Sequence, residues 1–394
     1  MMTDLLSRIL DLAIAIQQIP APTFHEQERA EFIRARFAEE GLQDVEIDSV
    51  GNVYACLKAT PSHTSPATRY SSPVTRHSSL ATRPIVVTAH LDTVFPPSVD
   101  LAVRREPERV SGPGIGDNAI GVAGLLGLVW ALRERNLERH RTRRVSRMAL
   151  TEDLWLAANV CEEGLGNLRG MKAVVERFGD KPRAYIVLEG MALGHVYHRA
   201  LGVRRYQITV KTAGGHSWVD YGRPSAIHEL TRLASELAAL KLPSAPRTTL
   251  NVGKISGGIS VNTIAPEAAL ELDLRSEGRE TLLEAARQVE ALARSVERAG
   301  VAVEIQVIGD RPMGEIPADH PLVRLAQECL RAQGIAPTLS IGSTDANAPL
   351  SRGIPAITVG LTTGSGAHTV HEYIHVEPLE KGMEQLVKLV SSVQ

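Results

Sequence analysis

The alternation of apolar and polar positions along the chain predicts an α/β fold. Apolar runs that are typical of buried strands lie at 84–89, 154–161, 184–188 and 356–361. Helical patterns precede or follow these runs, as at 120–132 and 322–333. Strands that alternate with helices in this way predict a mostly parallel sheet with helices on both faces.

The pattern changes in the middle of the chain, where the predicted order is strand, helix, strand, strand, helix, strand. These elements lie at 204–212, 224–240, 249–255, 268–275, 279–299 and 301–308. This order is that of a ferredoxin-like α+β domain. We therefore predict one α/β domain in two parts, residues 1–200 and 310–394, around an inserted ferredoxin-like domain at 201–309.

Composition argues against a nucleic-acid or membrane partner. The 394 residues include 43 Lys and Arg and 45 Asp and Glu, so no net field attracts nucleic acid or an anionic membrane. The apolar start of the chain contains acids and an arginine, which predicts an amphipathic helix rather than a signal peptide. Three widely spaced cysteines indicate a reducing compartment. We expect a cytoplasmic protein with no membrane span.

Two segments show no link to the candidate chemistry. Residues 65–83 repeat with a period of seven and are rich in Ser, Thr and Pro, which predicts a solvated loop. Residues 133–147 are rich in arginine. A nucleic-acid arm is the weaker interpretation of that segment because the whole chain is nearly neutral, so we predict a solvated extension of a helix.

Metal-binding residue types follow the predicted strands. They are His90 and Asp92 after the first run, Glu162 and Glu163 after the second, Glu189 after the third, and His368 and His371 shortly after the last. A glycine-rich loop at 112–118 also delivers Asp117 to the start of a predicted helix. Open α/β sheets bind ligands beyond the carboxyl ends of their strands. We therefore expect these side chains to converge at one edge of the sheet.

A pair of metal ions accounts for this set better than separate structural roles, although each residue taken singly has an ordinary structural interpretation. Zinc and its first-row neighbours bind imidazole nitrogen and carboxylate oxygen. The candidate ligands are His90, Asp117, Glu163, Glu189 and one late histidine. If Asp117 bridges two ions, each ion has three protein ligands and both share a water.

Two further acids have predicted supporting roles. Asp92 lies on the same side of the strand as His90 and is suited to accept the second imidazole N–H. Neighbouring side chains in extended backbone point in opposite directions. Glu163 can therefore bind metal while Glu162 reaches the shared water as general base.

The ordered set of motifs resembles a known family. The motifs are His90-x-Asp92, Gly116-Asp117-Asn118, Glu162-Glu163, Glu189 and Gly214-Gly215-His216-Ser217. They resemble the co-catalytic zinc exopeptidases, which include carboxypeptidase G, succinyl-diaminopimelate desuccinylase, aminoacylase and peptidase T. The resemblance implies a zinc-dependent amide hydrolase with the same ligand set and with Glu162 as base. The family spacing to the following glutamate favours His368 over His371 as the last ligand.

The resemblance also implies a role for the inserted domain. In this family that domain is a lid and dimerisation module, and its Gly-Gly-His-Ser histidine holds the reacting carbonyl oxygen in a neighbouring subunit. His216 would do so here, within a homodimer. Asn262 and Arg275 match family positions that contact substrate, and a guanidinium implies a free carboxylate on the substrate. The loop at 342–345 resembles another family substrate loop.

The expected function is a metal-dependent exopeptidase of small peptides that uses two divalent ions, zinc or else cobalt or manganese. An N-acyl amino acid deacylase is the nearest alternative, because the lid does not single out one subfamily. A two-metal phosphoesterase could use similar ligands, but the motifs lack a basic cluster for phosphate. A catalytically silent binding protein would not need Glu162 as a base.

Overall fold

The computed structural model describes residues 2–59, 83–142 and 150–393. Most of the repeat tract predicted at 65–83 lies outside the described residues, as does part of the arginine-rich segment at 133–147. The chain divides into two compact units. Unit 1 comprises Met1–Arg199, Gly314–Ser340 and Thr344–Gln394, and unit 2 comprises Ala200–Met313 and Ile341–Ser343.

The helices and strands of the described residues are numbered in chain order. The helices are α1 Met2–Gln17, α2 Gln27–Glu39, α3 Ile120–Thr142, α4 Arg169–Phe178, α5 Ala226–Ala238, α6 Arg279–Ser295, α7 Pro321–Ala332, α8 Asn347–Ser351 and α9 Pro378–Val393. The strands are β1 Gln43–Ile47, β2 Val53–Leu57, β3 Ile85–His90, β4 Arg104–Arg105, β5 Arg109–Ser111, β6 Leu154–Asn159, β7 Ala184–Leu188, β8 His195–Ala200, β9 Gly202–Thr212, β10 Gly215–His216, β11 Thr248–Gly257, β12 Thr263–Ile264, β13 Glu267–Ser276, β14 Val301–Arg311, β15 Gly314–Glu315, β16 Thr338–Gly342, β17 Ala356–Val359, β18 Gly364–Ser365 and β19 Tyr373–His375. Helix α3 thus continues into the arginine-rich segment.

A large sheet forms the centre of unit 1. Its strand order is β1-β2-β6-β3-β7-β17-β8-β15, and β16 also pairs with β8. The central strands β6, β3, β7 and β17 run parallel, whereas β1, β2 and β8 run antiparallel to their neighbours. Strands β3, β7 and β17 are buried along their whole length, as expected for parallel strands that are covered on both faces. The predicted α/β fold with a mostly parallel sheet is confirmed.

The most apolar helical stretch lies inside unit 1. Helix α3 packs against β3, α1 and α9. Gly127 permits the close approach of α1, because an added Cβ would lie 2.7 Å from Cδ1 of Ile9. Within the described residues, only the stretch Ile115–Arg135 is long and apolar enough to cross a membrane, and 89% of its most apolar window is buried. It is a core helix, so no membrane protein is indicated.

Unit 2 has the predicted ferredoxin-like arrangement. Its antiparallel sheet has the order β11-β13-β9-β14, and α5 and α6 pack against this sheet and against each other. Alternate side chains of β9, such as Tyr206, Ile208 and Val210, are buried in the core beneath the two helices. The side chains between them point to the other face. There, Arg205 and Arg275 both donate to the carboxylate of Asp273, at 2.9 and 2.8 Å.

Candidate metal centre

Two histidines of unit 1 approach the two carboxylate oxygens of Asp117. His90 ends β3, and its Nε2 lies 3.1 Å from Oδ1 of Asp117 and 3.7 Å from Oε2 of Glu189. His368 Nε2 lies 3.1 Å from Oδ2 of Asp117 and 3.3 Å from Oε1 of Glu163. The five predicted ligands therefore form two groups that share Asp117. In the described structure His371 makes no ion pair with these acids.

The glycine-rich loop that carries Asp117 is held at both ends. Glu372 is fully buried and accepts hydrogen bonds from the backbone N–H groups of Gly114, Gly116 and Asp117, at 3.1, 2.7 and 2.8 Å. Asn118 forms a cis peptide bond with Asp117. Its side chain donates to the Leu188 carbonyl at 2.7 Å and accepts from the Gly190 N–H at 3.0 Å. Asn118 thus connects the loop to the residues on either side of Glu189.

Asp92 positions the Glu162-Glu163 turn. Its buried carboxylate accepts the backbone N–H groups of Glu162 and Glu163, both at 2.9 Å, and the hydroxyl of Thr23 at 2.9 Å. Nδ1 of His90 lies 3.0 Å from the backbone oxygen of Asp92 and 3.5 Å from its carboxylate. The backbone oxygen, rather than the carboxylate that we expected, is the nearer partner of the imidazole. Both contacts orient His90 with Nε2 toward Asp117.

The electrostatics of the centre show an excess of negative charge. Burial raises the pKa of Glu163 and of Glu189 to about 7. Hydrogen bonds to Asp117 and Glu163 raise the pKa of His368 to about 10. Burial opposes protonation of His90, but hydrogen bonds to neighbouring carboxylates still raise its pKa well above the usual value. Such a site favours cations, and its imidazole and carboxylate donors fit divalent ions of the zinc type.

Glu162 belongs to the same cluster of acids. Its side chain is buried, and its charge contributes, after burial, to the raised pKa values of Glu163, Glu189 and Asp345. Glu162 therefore lies within electrostatic range of the other acids of the centre.

Several supporting residues were not assigned roles from the sequence. Glu372 is one of them, and Asn159, which pairs with Asp345 of the 342–345 loop, is another. Both members of this pair are buried, and Nδ2 of Asn159 donates to Oδ2 of Asp345 at 2.7 Å. Asn159 is also the strand partner of His90 across β6 and β3. A polar residue at the end of an apolar strand run was the one sequence signal for Asn159.

Within unit 2, two of the predicted substrate residues lie together. His216 is exposed on β10, and Nδ1 of its ring accepts the backbone N–H groups of Trp218 and Val219, at 3.2 and 3.4 Å. The backbone oxygen of Asn262 accepts from Ser217 at 3.0 Å. A neutral ring with an acceptor Nδ1 carries its proton on Nε2, which leaves Nε2–H as a donor.

His216 lies on β10 of a separate two-stranded sheet, and Arg275 lies on β13 of the four-stranded sheet. It pairs with Val203 at the start of β9, whereas Glu267, which opens β13, pairs with Lys211 at the end of β9. Eight residues of strand separate Glu267 from Arg275, or roughly 26 Å. His216 follows shortly after Lys211, so it lies near the Glu267 end.

Histidine and carboxylate side chains that gather at the carboxyl ends of parallel strands are a donor set suited to a divalent metal ion. Residues 86–392 match the model of peptidase family M20/M25/M40, and the chain belongs to this family. It is 25% identical over 401 residues to the uncharacterized protein YqjE of Bacillus subtilis (strain 168), covering 97% of each chain.

Solved structures have the same fold. A tripeptidase from Staphylococcus aureus subsp. aureus Mu50 superimposes with a TM-score of 0.76 at 20% identity, over 98% of each chain. YXEP of Bacillus subtilis, a dinuclear metal binding peptidase of the M20 family, gives a TM-score of 0.63 at 17% identity, over 99% of this chain and 98% of that chain.

Proposed function

We propose that this protein is an exopeptidase that hydrolyses an amide bond of small peptides at a centre of two divalent metal ions. The observation that carries the proposal is the pair of histidines that approach opposite oxygens of Asp117. The described neighbour YXEP, a dinuclear metal binding peptidase, supports the count of two ions. The tripeptidase neighbour supports a peptide substrate.

Each ion would have its own histidine and glutamate. His90 and Glu189 would hold one ion, His368 and Glu163 the other, and Asp117 would bridge the two. Zinc fits this donor set, with cobalt and manganese as alternatives. When bound, two such ions lower the pKa of a shared water and polarise the substrate carbonyl.

The role of general base falls to Glu162. The two hydrogen bonds from the Glu162-Glu163 backbone to Asp92 hold this turn beside the ligands. Glu162 would accept a proton from the attacking water and then deliver it to the departing amine nitrogen. These two proton transfers leave Glu162 ionised again after each turnover.

Unit 2 would supply substrate contacts and the interface of a homodimer. His216 would donate from Nε2 to the carbonyl oxygen, beside Asn262, and Arg275 would bind a substrate carboxylate. A dipeptide spans only about 7 Å, so it cannot contact His216 and Arg275 of one unit 2. If both act on one substrate, they come from two subunits.

The cysteines support an intracellular location. Cys56, Cys161 and Cys329 are buried and unpaired, which is typical of a reducing compartment. We propose that the protein is cytoplasmic.

An N-acyl amino acid deacylase remains the second candidate. It needs the same centre and the same carboxylate-binding arginine, and it differs only in the acyl side of the bond. A phosphoesterase fits less well, because a cluster of carboxylates repels a phosphate anion unless basic side chains surround it.

A substrate panel tests the proposal. Purified protein with zinc, cobalt or manganese should hydrolyse di- or tripeptides, or else N-acyl amino acids, and not phosphoesters. Glu162→Gln should lower kcat by roughly 10²–10⁴-fold without loss of bound metal, because only the base is removed. Exposed Glu328 offers a matched control, and Glu328→Gln should keep wild-type turnover. Near-normal turnover in Glu162→Gln would place the base elsewhere.

A further inference from the structure

Two large apolar side chains are exposed on the loops that contribute residues to the metal centre. Phe24 follows Thr23, which donates to Asp92, and its side chain is 45% exposed. Leu165 follows the ligand Glu163 by two residues and is 44% exposed. Single exposed apolar residues are ordinary on protein surfaces. These two differ because both belong to the loops that build the centre.

The Phe24 loop and the Glu162-Glu163 turn are held by the same two carboxylates. Asp92 accepts from Thr23 on one loop and from Glu162 and Glu163 on the other. Glu26 accepts from the backbone N–H of Phe24 at 3.1 Å. It also accepts from the backbone N–H of Cys161 at 3.1 Å. The two loops are therefore fixed relative to each other.

A cation–π contact involves the Phe24 ring. The guanidinium of Arg169, the first residue of α4, lies 5.5 Å from the ring centre. Leu165 lies on the short segment that joins Glu163 to this arginine. The segment that follows Glu163 thus carries both Leu165 and the arginine that contacts the Phe24 ring.

The backbone here is held in an unfavourable conformation. Phe24, Cys161, Asn167 and Leu168 all have left-handed φ angles, of 76°, 59°, 55° and 58°. Such angles are costly for residues other than glycine. For Phe24 the cost is not offset by burial of the ring, which stays exposed. Strain that presents an apolar side chain to solvent at a reaction centre indicates a role in binding.

We propose that Phe24 and Leu165 form a subsite for a large apolar side chain of the substrate, on the residue next to the scissile amide. The inference rests on the proposed function and adds the substrate class. A leucine-like or aromatic side chain that displaces water from the apolar surface of Phe24 and Leu165 lowers the free energy of the complex. A small or charged side chain gains little there.

Side-chain selectivity tests the subsite. The probes are the dipeptides Ala-Ala, Leu-Ala, Ala-Leu, Phe-Ala and Ala-Phe. Wild type should prefer a leucine or phenylalanine peptide, and Phe24→Ala and Leu165→Ala should each lower its kcat/KM about tenfold. Ala-Ala hydrolysis should change less than twofold. Leu283→Ala is a matched control, because this 39% exposed leucine lies on α6 of unit 2.

Three outcomes would overturn the subsite. They are unchanged selectivity in both variants, an equal loss on Ala-Ala and the larger peptides, and a wild type with no preference for large apolar side chains. If wild type hydrolyses no peptide at all, the proposed function has failed, and calorimetry tests the subsite separately. Metal-loaded wild type should then bind leucine at least tenfold more tightly than alanine, and Phe24→Ala should remove that difference. Equal binding of the two amino acids would refute it.

Discussion

Complementation between two inactive variants tests the proposal that His216 of one subunit acts in the site of the other. Glu162→Gln removes the proposed base and His216→Ala removes the proposed oxyanion donor, so each homodimer should lose roughly 10²-fold or more in kcat. A mixed dimer has one cleft with both faults and one cleft with neither. Purified mixed dimers should therefore show about half of wild-type activity, and random pairing of equal amounts about a quarter.

The length of unit 2 is the structural reason to expect that His216 acts in the partner subunit. Arg275 lies roughly 26 Å along β13 from Glu267, the end near which His216 lies on the separate sheet of β10 and β12. One small substrate cannot touch both in one subunit. The activity regained therefore counts clefts in which His216 of one chain meets Glu162 of the other.

Co-expression of two differently tagged variants, followed by tandem affinity purification, isolates the mixed dimers. A chain that carries both substitutions provides the control. Paired with wild type, it should leave no active cleft, whereas histidines that act within their own chain would leave half of the activity. Inactive mixed dimers of the single variants, or a monomeric protein in solution, would refute the proposal that His216 acts in the site of the partner subunit.

Two further predictions concern the metal centre. Glu372→Gln should lower metal affinity about 10–100-fold in chelator competition, because one amide oxygen cannot accept the three N–H groups of the Asp117 loop. Glu377→Gln, at an exposed position, is the control. Unchanged metal affinity in Glu372→Gln would contradict the role of Glu372 in holding this loop. Metal binding at pH 7.5 should release two or more protons, measured by calorimetry in buffers of different ionisation enthalpy. The raised pKa values of His90 and His368 favour their protonated forms beforehand, and Glu163 and Glu189, with pKa values of about 7, retain part of their protons. The folded-state pKa values of the two histidines exceed the ordinary 6.5, so the stability they add to chelator-treated protein is complete below pH 6.5. Its melting temperature should fall as pH rises from about 6.5 through about 10, and a flat profile there would argue against protonated histidines.

Much of the fold could be predicted from local patterns. The apolar runs at 84–89 and 184–188 became the buried strands β3 and β7, because parallel strands covered on both faces need continuous apolar sequence. The order strand, helix, strand, strand, helix, strand after Val203 predicted the ferredoxin-like unit. Periodicity and element order are properties of neighbouring residues, so the sequence alone reveals them.

Residue types at strand ends also predicted where the candidate centre lies. His90, Glu162 and Glu189 each follow a parallel strand, and the carboxyl ends of such strands meet at one edge. The convergence of these side chains therefore follows from chain order and strand direction.

Only the tertiary structure decided how the centre is held together. Glu372 accepts from Gly114 across 258 residues, and Asp345 contacts Asn159 across 186. Such contacts depend on loop conformation and on packing between distant segments, which no local spacing encodes.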